Sequence, residues 1–88
     1  MSPREALIAE LADLILEATE KAKPSPPLSP QEAIFGAGTR LALDSLDALQ
    51  VSMALQKRYG VRLTDSKETR RILANVGNLA DHLLQKRA

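Results

Sequence analysis

Ser45 stands between two acids in the tetrad Asp44-Ser45-Leu46-Asp47, at the point where a polar stretch gives way to a helical apolar pattern. The first backbone N–H groups of a helix have no intrahelical partner, and the macrodipole places partial positive charge there. A negatively charged group carried on the Ser45 hydroxyl would meet a favourable field at that place. Asp44 suits the N-cap, accepting from the amides of the first turn, and Asp47 sits where an acid is also favoured. The same four residues equally describe a plain helix start. Nothing supplies Ser45 with a base: His82 is the only histidine and falls near the C-terminus. Its neighbour Asp81 points about 100° away around a helix, so the two do not make a dyad.

The absence of cysteine removes disulfides, thiolate nucleophiles and cysteine-rich zinc sites, so any thiol chemistry must come from a cofactor. No His, Asp or Glu cluster has metal-ligand spacing either. Eighty-eight residues predict a single domain over 1–88 with one small core. At 44% hydrophobic and 2% aromatic, that core must be built from Leu, Ile, Val and Ala, which suits packed helices. No apolar run approaches the ~18 residues of a bilayer span and no secretory signal pattern opens the chain, so a soluble cytoplasmic protein is expected. Net charge is +1, which argues against a general polyanion-binding field. The charge is unevenly placed: residues 1–39 hold three bases against six acids, and residues 40–88 nine against five.

Four elements must position Ser45. Ser2-Pro3-Arg4-Glu5 has the form of a capping box with proline at the first helical position. Leu7, Ile8, Leu11, Leu14, Ile15 and Ala18 follow at helical spacing, predicting helix one over about 3–22. Four prolines among residues 23–30 forbid a regular helix and predict a stiff connector. Ser29-Pro30-Gln31-Glu32 repeats the capping grammar and predicts a short turn ending at Gly36 or Gly38, with Phe35 dropping into the core.

Helix two is expected from Asp44 to Tyr59, stopped by Gly60 after Lys57 and Arg58. Its apolar residues cover more surface than one stripe needs: Val51, Leu55 and Tyr59 form the expected buried line, while Leu46, Leu49 and Met53 lie on another azimuth. That second line fits either core or an exposed patch for partners, where Met packs adaptably. Thr64, Asp65 and Ser66 are cap candidates for a short third helix over about 66–72, with Glu68 placed to close a box with Asp65. Asn75 caps a fourth helix carrying Val76, Leu79, Ala80 and Leu83, in which Gly77 costs about 1 kcal/mol of helix propensity.

In this order the motifs resemble the acyl carrier protein family along nearly the whole chain. They are an acidic first helix, a long loop, Asp44-Ser45-Leu46 at the head of helix two, Tyr59-Gly60-Val61-Arg62-Leu63 after it, and Asn75-Val76-Gly77-Asn78-Leu79 opening helix four. The resemblance implies an all-α four-helix bundle with a short third helix and a long loop between helices one and two. It implies a carrier and not an enzyme: a phosphopantetheinyl transferase esterifies Ser45 with 4'-phosphopantetheine from coenzyme A. The thiol of that arm then carries acyl groups as thioesters between a ketosynthase, an acyl ligase or transferase and other pathway enzymes. Asp44, Leu46, Asp47, Leu49 and Met53 fall where the family meets its partners, and a monomer is implied.

Two departures matter. Ala42 and Leu43 replace a common glycine-containing approach, which predicts a bulkier entry to the site. Gln50, Ser52, Gln56, Lys57 and Arg58 replace the acidic face of fatty-acid carriers, which points to a specialised carrier of polyketide, aryl-polyene-like or secondary fatty-acid type. A peptidyl or aminoacyl carrier would use the same serine, although the Gly-Gly-[His/Asp]-Ser-Leu approach is missing. A small DNA-binding module is prompted by Lys67, Arg70, Arg71, Lys86 and Arg87, but helix three is too short for a recognition helix, so no nucleic-acid partner is expected.

Overall fold

The computed structural model describes residues 2–63 and 65–87. It is all-α: α1 (Pro3–Ala18), α2 (Ser45–Tyr59), α3 (Ser66–Ile72) and α4 (Val76–Arg87), with a long connection between α1 and α2. Helix α1 packs against α4 and α2, and α3 packs against α4. The core is aliphatic throughout: Leu11, Ile15, Val51, Leu55, Leu79 and Ala80 are fully buried between the helices. Among the described residues no polar or charged side chain is buried.

Each helix starts where a side chain can satisfy its unpaired amides. Ser2 Oγ accepts from Glu5 N–H at 3.1 Å, and Pro3 occupies the first turn. Asn75 Oδ1 accepts from Asn78 N–H at 2.7 Å at the head of α4. Asp65 caps α3 through Lys67 N–H at 2.9 Å, one residue before the box expected with Glu68. The other cap candidate, Thr64, lies outside the described residues, as do the side chains of Ser66, Lys86 and Arg87.

Helix α1 ends at Ala18, four residues before the boundary read from the sequence. Thr19 Oγ1 donates to the Ile15 carbonyl at 2.7 Å, and Lys21 N–H donates to the Leu16 carbonyl at 2.9 Å. Glu20 takes a left-handed conformation, φ 56°, that closes the end as a glycine ordinarily would. No glycine marks this stop, so only the proline run suggested where the helix must end. Leu16 is buried as well, on a face the predicted stripe did not include. It lines a groove between α1 and the proline run together with Leu28, so the connector is packed against the helix and not merely strung beside it.

The proline run is held by Arg40. Its guanidinium donates to both carboxylate oxygens of Glu32, at 2.7 and 2.8 Å, and to the carbonyls of Pro26 at 2.7 Å and Pro27 at 3.2 Å. A planar fork matches a carboxylate in this way and leaves donors over for backbone oxygens that the prolines cannot pair locally. Glu32 also accepts from Ser29 N–H at 3.1 Å, which is the capping pattern expected there, used to close a turn with no helix after it. The Arg40 guanidinium and then the Ser29 amide hold the Glu32 carboxyl at about 2, below its ordinary range.

A carboxyl depressed in the folded chain adds stability that is present above its unfolded pKa and is lost as the pH falls towards its folded one. Wild type is therefore expected to lead Glu32→Gln in urea unfolding midpoint at neutral pH. The gap should narrow from about pH 4.5 downward and close near pH 2. A gap independent of pH would show that the clasp is not ionic.

Gly77 sits in the first turn of α4, where the sequence argued only a propensity cost. Its N–H donates to the Pro30 carbonyl at 2.9 Å, and a Cβ there would meet the same oxygen at 3.0 Å. Glycine is needed for backbone to approach backbone at this seam, which ties the end of the proline run to the helix behind the site.

Candidate functional site

The approach to Ser45 is built from the end of the long connection. Leu43 N–H donates to the Ile34 carbonyl at 3.1 Å and Gly36 N–H donates to the Leu43 carbonyl at 3.0 Å, forming an isolated parallel bridge between Phe35 and Leu43. Ile34 and Leu43 thereby enter the core, whereas Phe35, expected to drop into it, stays half-buried and packs against it. Extended backbone alternates its side chains, so burying Ile34 turns Phe35 toward the outer side.

Leu43 is buried, so its bulk lies in the core and along the wall of the cleft beside Ser45. The preceding Ala42 is exposed and left-handed, φ 49°, with its N–H donating to Thr39 Oγ1 at 3.0 Å. It adopts the conformation a glycine supplies without strain. Ala42→Gly should relieve roughly 1–2 kcal/mol of strain and return roughly 0.4–1 kcal/mol in unfolded-chain entropy. The expected net gain of about 0.5–1 kcal/mol would raise the thermal midpoint by a few degrees. A lowered midpoint would show that the alanine is unstrained.

Helix α2 then begins with a reciprocal capping box. Asp44 Oδ1 accepts from Asp47 N–H at 2.9 Å, and Asp47 Oδ2 accepts from Asp44 N–H at 3.0 Å. The Asp47 amide holds the Asp44 carboxyl below the usual carboxylate range. Both acids thus have a local structural role at the point where the sequence placed them. At the other end Gly60, φ 70°, closes the helix through its N–H to the Gln56 carbonyl at 2.9 Å.

Ser45 is the first residue of α2 and is exposed. Among the described residues its hydroxyl has no hydrogen-bond partner, so it stands open at the positive end of a 15-residue helix. Alongside lies a cleft of about 670 Å³ between α2, α3 and the Phe35–Leu43 bridge. Its walls are apolar at Phe35, Leu43, Ala48, Leu49 and Leu63, with Ser52, Thr69 and Arg70 as polar groups.

Leu46, Leu49 and Met53 are 64%, 55% and 58% exposed, while Val51 and Leu55 are completely buried. The question left open by periodicity is therefore answered: the second apolar line faces outward, directly beside Ser45. Tyr59, expected on the buried line, is half-buried, with its hydroxyl donating to Glu10 on α1 at 2.6 Å. A phenol at the end of that line can cover the core with its ring only if its oxygen reaches a polar partner.

Other candidate residues fall elsewhere. His82 is half-buried on α4 away from the cleft, and the Asp81 carboxylate is taken by Arg4 Nε at 2.7 Å, tying α4 to the start of α1. Arg40, Thr39 and Glu32, which shape the approach to Ser45, were not legible as site residues, because loop contacts have no sequence period. Arg70 and Arg71 lie in the last turn of α3 as expected, but only the fold places Arg70 on the Ser45 cleft. At seven residues, α3 is the short helix expected, which gives a DNA-binding module no recognition helix there. No helix among the described residues is long and apolar enough to cross a membrane.

An open hydroxyl at a helix head, beside a cleft with an apolar wall, fits an attached group that is anionic at its root and extended beyond it. Comparison with known proteins supplies the family: the model described as the phosphopantetheine attachment site matches residues 7–83. No curated protein and no solved structure matches the chain. The match covers most of the molecule, from the first turns of α1 to the last turns of α4. It implies covalent 4'-phosphopantetheine, a transferase that attaches it and pathway enzymes that use it. The chain belongs to the phosphopantetheine-binding carrier family, whose members carry intermediates without catalysing their conversion.

Proposed function

We propose that this chain is an acyl carrier protein whose Ser45 hydroxyl is the attachment point of 4'-phosphopantetheine. The observation that carries this is the position of an exposed, unengaged hydroxyl at the head of α2 next to three outward-facing apolar residues. When bound, the arm supplies a thiol that holds acyl groups as thioesters. The chain's own residues present the hydroxyl, hold its backbone rigid through the Asp44–Asp47 box, and offer Leu46, Leu49 and Met53 as an adaptable contact for successive enzymes. Asp44 and Asp47 keep negative charge at the rim of that contact.

The carrier serves a specialised pathway of polyketide, aryl-polyene-like or secondary fatty-acid type. Acidic carriers are steered to basic enzyme surfaces, and steering sets on-rate and partner choice more than affinity. Here α2 carries Gln50, Ser52 and Gln56 and ends on Lys57 and Arg58. Arg58 faces Glu10 at 3.7 Å, a pair too exposed to cancel the basic end in the field a partner meets.

Binding measured in parallel to a housekeeping fatty-acid ketosynthase and to condensing enzymes encoded beside this protein tests the reading. Faster association with the latter is expected, and equal or better capture by the housekeeping enzyme would overturn it. Loading with an amino acid by a neighbouring adenylating enzyme would instead make the chain a peptidyl carrier.

A further inference from the structure

Arg70 shares a cleft with Ser45, although the two lie on different helices and no local pattern joins them. Four of the described basic side chains are held in ion pairs: Arg4 with Asp81, Lys23 with Asp13, Arg40 with Glu32 and Arg58 with Glu10. Arg70 has no such partner among the described residues. The one acid among the described residues of the cleft wall, Asp44, has its carboxylate turned to the amide of Asp47, at 2.9 Å. The remaining polar lining, Ser52 and Thr69, is uncharged, and Thr69 Oγ1 donates to the Asp65 carbonyl at 2.8 Å. The cleft therefore holds a guanidinium with no ion-pair partner, a carboxylate already engaged by a backbone amide and an apolar wall, and the group tethered at its edge begins with a phosphodiester.

We propose that Arg70 is a positioning residue for the prosthetic arm: its guanidinium pairs with the phosphodiester on Ser45 and lays the arm along the α2–α3 cleft. The inference rests on Ser45 being the attachment point. A guanidinium matches two phosphate oxygens with parallel N–H donors, which orients as well as attracts. Ser45 at the head of α2 and Arg70 on α3 line the same cleft, so this pairing fixes the root of the arm while its thiol end stays free to be drawn out by a partner. Such a contact is partly exposed and loosens with salt.

The test uses the full chain, converted with coenzyme A and a broad phosphopantetheinyl transferase, with no acyl cargo. Intact mass and peptide mapping first show whether the arm is on Ser45. Backbone amide shifts of apo and holo protein, and the phosphorus resonance of the holo protein, are then compared for wild type, Arg70→Gln, Arg70→Lys and Arg71→Gln. Conversion of wild type is expected to shift the amides of Thr69, Arg70 and Arg71 as well as those around Ser45, and about 0.5 M salt to reduce the α3 component. Arg70→Gln should remove most of the α3 component and move the phosphorus resonance, Arg70→Lys should restore part of both, and Arg71→Gln should change neither.

Full conversion at Ser45 with α3 shifts that are identical in wild type and Arg70→Gln would overturn the Arg70 contact while leaving the attachment site standing. Equal losses in Arg70→Gln and Arg71→Gln would also overturn it, since the effect would then be general charge. No arm on Ser45 would overturn both. A carboxylated acyl group loaded afterwards identifies a rival source of anion: α3 shifts that appear only with that cargo would assign Arg70 to the cargo and against the phosphodiester.

Discussion

Ser45→Ala is expected to abolish the mass gained from coenzyme A and a phosphopantetheinyl transferase completely, while leaving the helical signal and thermal midpoint of the apo protein nearly unchanged. The two halves of this outcome follow from the same geometry. The hydroxyl is exposed and makes no hydrogen bond to a described residue, and capping of α2 is done by Asp44, so removing one oxygen at the first helical position removes no native contact. Surface substitutions away from such contacts stay within about 0.5 kcal/mol. The chemistry, in contrast, has no second route of the same kind. Ser52 lies in the same cleft but in the interior of α2, where its neighbouring amides are engaged in the helix and the field of the helix end is absent. Ser52→Ala should therefore be modified as wild type is. Retention of the added mass in Ser45→Ala, or its loss in Ser52→Ala, would move the attachment point and sink the functional reading.

Replacing Leu49 and Met53 together by serine should reduce capture by the transferase and by the cognate condensing enzyme without unfolding the protein. Each side chain is more than half exposed, so folding buries little of it, and the substitution forfeits little stability. Apolar anchors at the centre of an interface contribute about 1–2 kcal/mol each when truncated. The pair is expected to weaken binding by roughly 30- to 1,000-fold, read as a higher KM for modification by the transferase or a larger Kd for the condensing enzyme. A core role would give the reverse result: each truncation would lower stability by about 2–5 kcal/mol and binding would suffer only through unfolding. Val51 and Leu55, fully buried on the same helix, supply that comparison. Unchanged KM and Kd in the double variant would remove the α2 face from the docking surface.

The basic character of the second half of the chain has two different consequences in the fold. Arg40 is spent within the molecule, clasping the proline run, whereas Arg58 faces Glu10 in an exposed pair that leaves its field open to a partner. Arg70 is left open on the cleft. A count of charges places all three in one class, although only the fold separates the guanidinium clasped in the loop from the one shared at the surface and the one left without an ion-pair partner. The same distinction applies to the acids around Ser45: Asp44 and Asp47 cap each other's backbone, so substituting either to test recognition also loosens the helix head by about 1 kcal/mol. Loss of partner binding in such a variant has to be judged against its melting temperature.

The long loop was the least legible part of the sequence. Its prolines excluded helix, which was correct, but nothing in their spacing said that Arg40 would gather the Pro26 and Pro27 carbonyls with Glu32, or that Gly77 would admit the Pro30 carbonyl. These contacts join residues far apart in number through backbone oxygens that every residue possesses, so no residue type signals them. The end of α1 was misjudged for a related reason. Its stop uses Glu20 in a left-handed turn, a conformation that sequence reading assigns to glycine or asparagine.

The sequence by itself determined the helices, their caps and the identity of the candidate serine, because hydrophobic period, capping residues and proline exclusion act over a few neighbouring residues and leave a local trace. The placement of four helices around an aliphatic core, the outward turn of Leu46, Leu49 and Met53, and the sharing of one cleft by Ser45 and Arg70 were decided only by tertiary structure. Which of two apolar faces is buried depends on what another helix brings against it, and a cleft exists only between elements that are already packed.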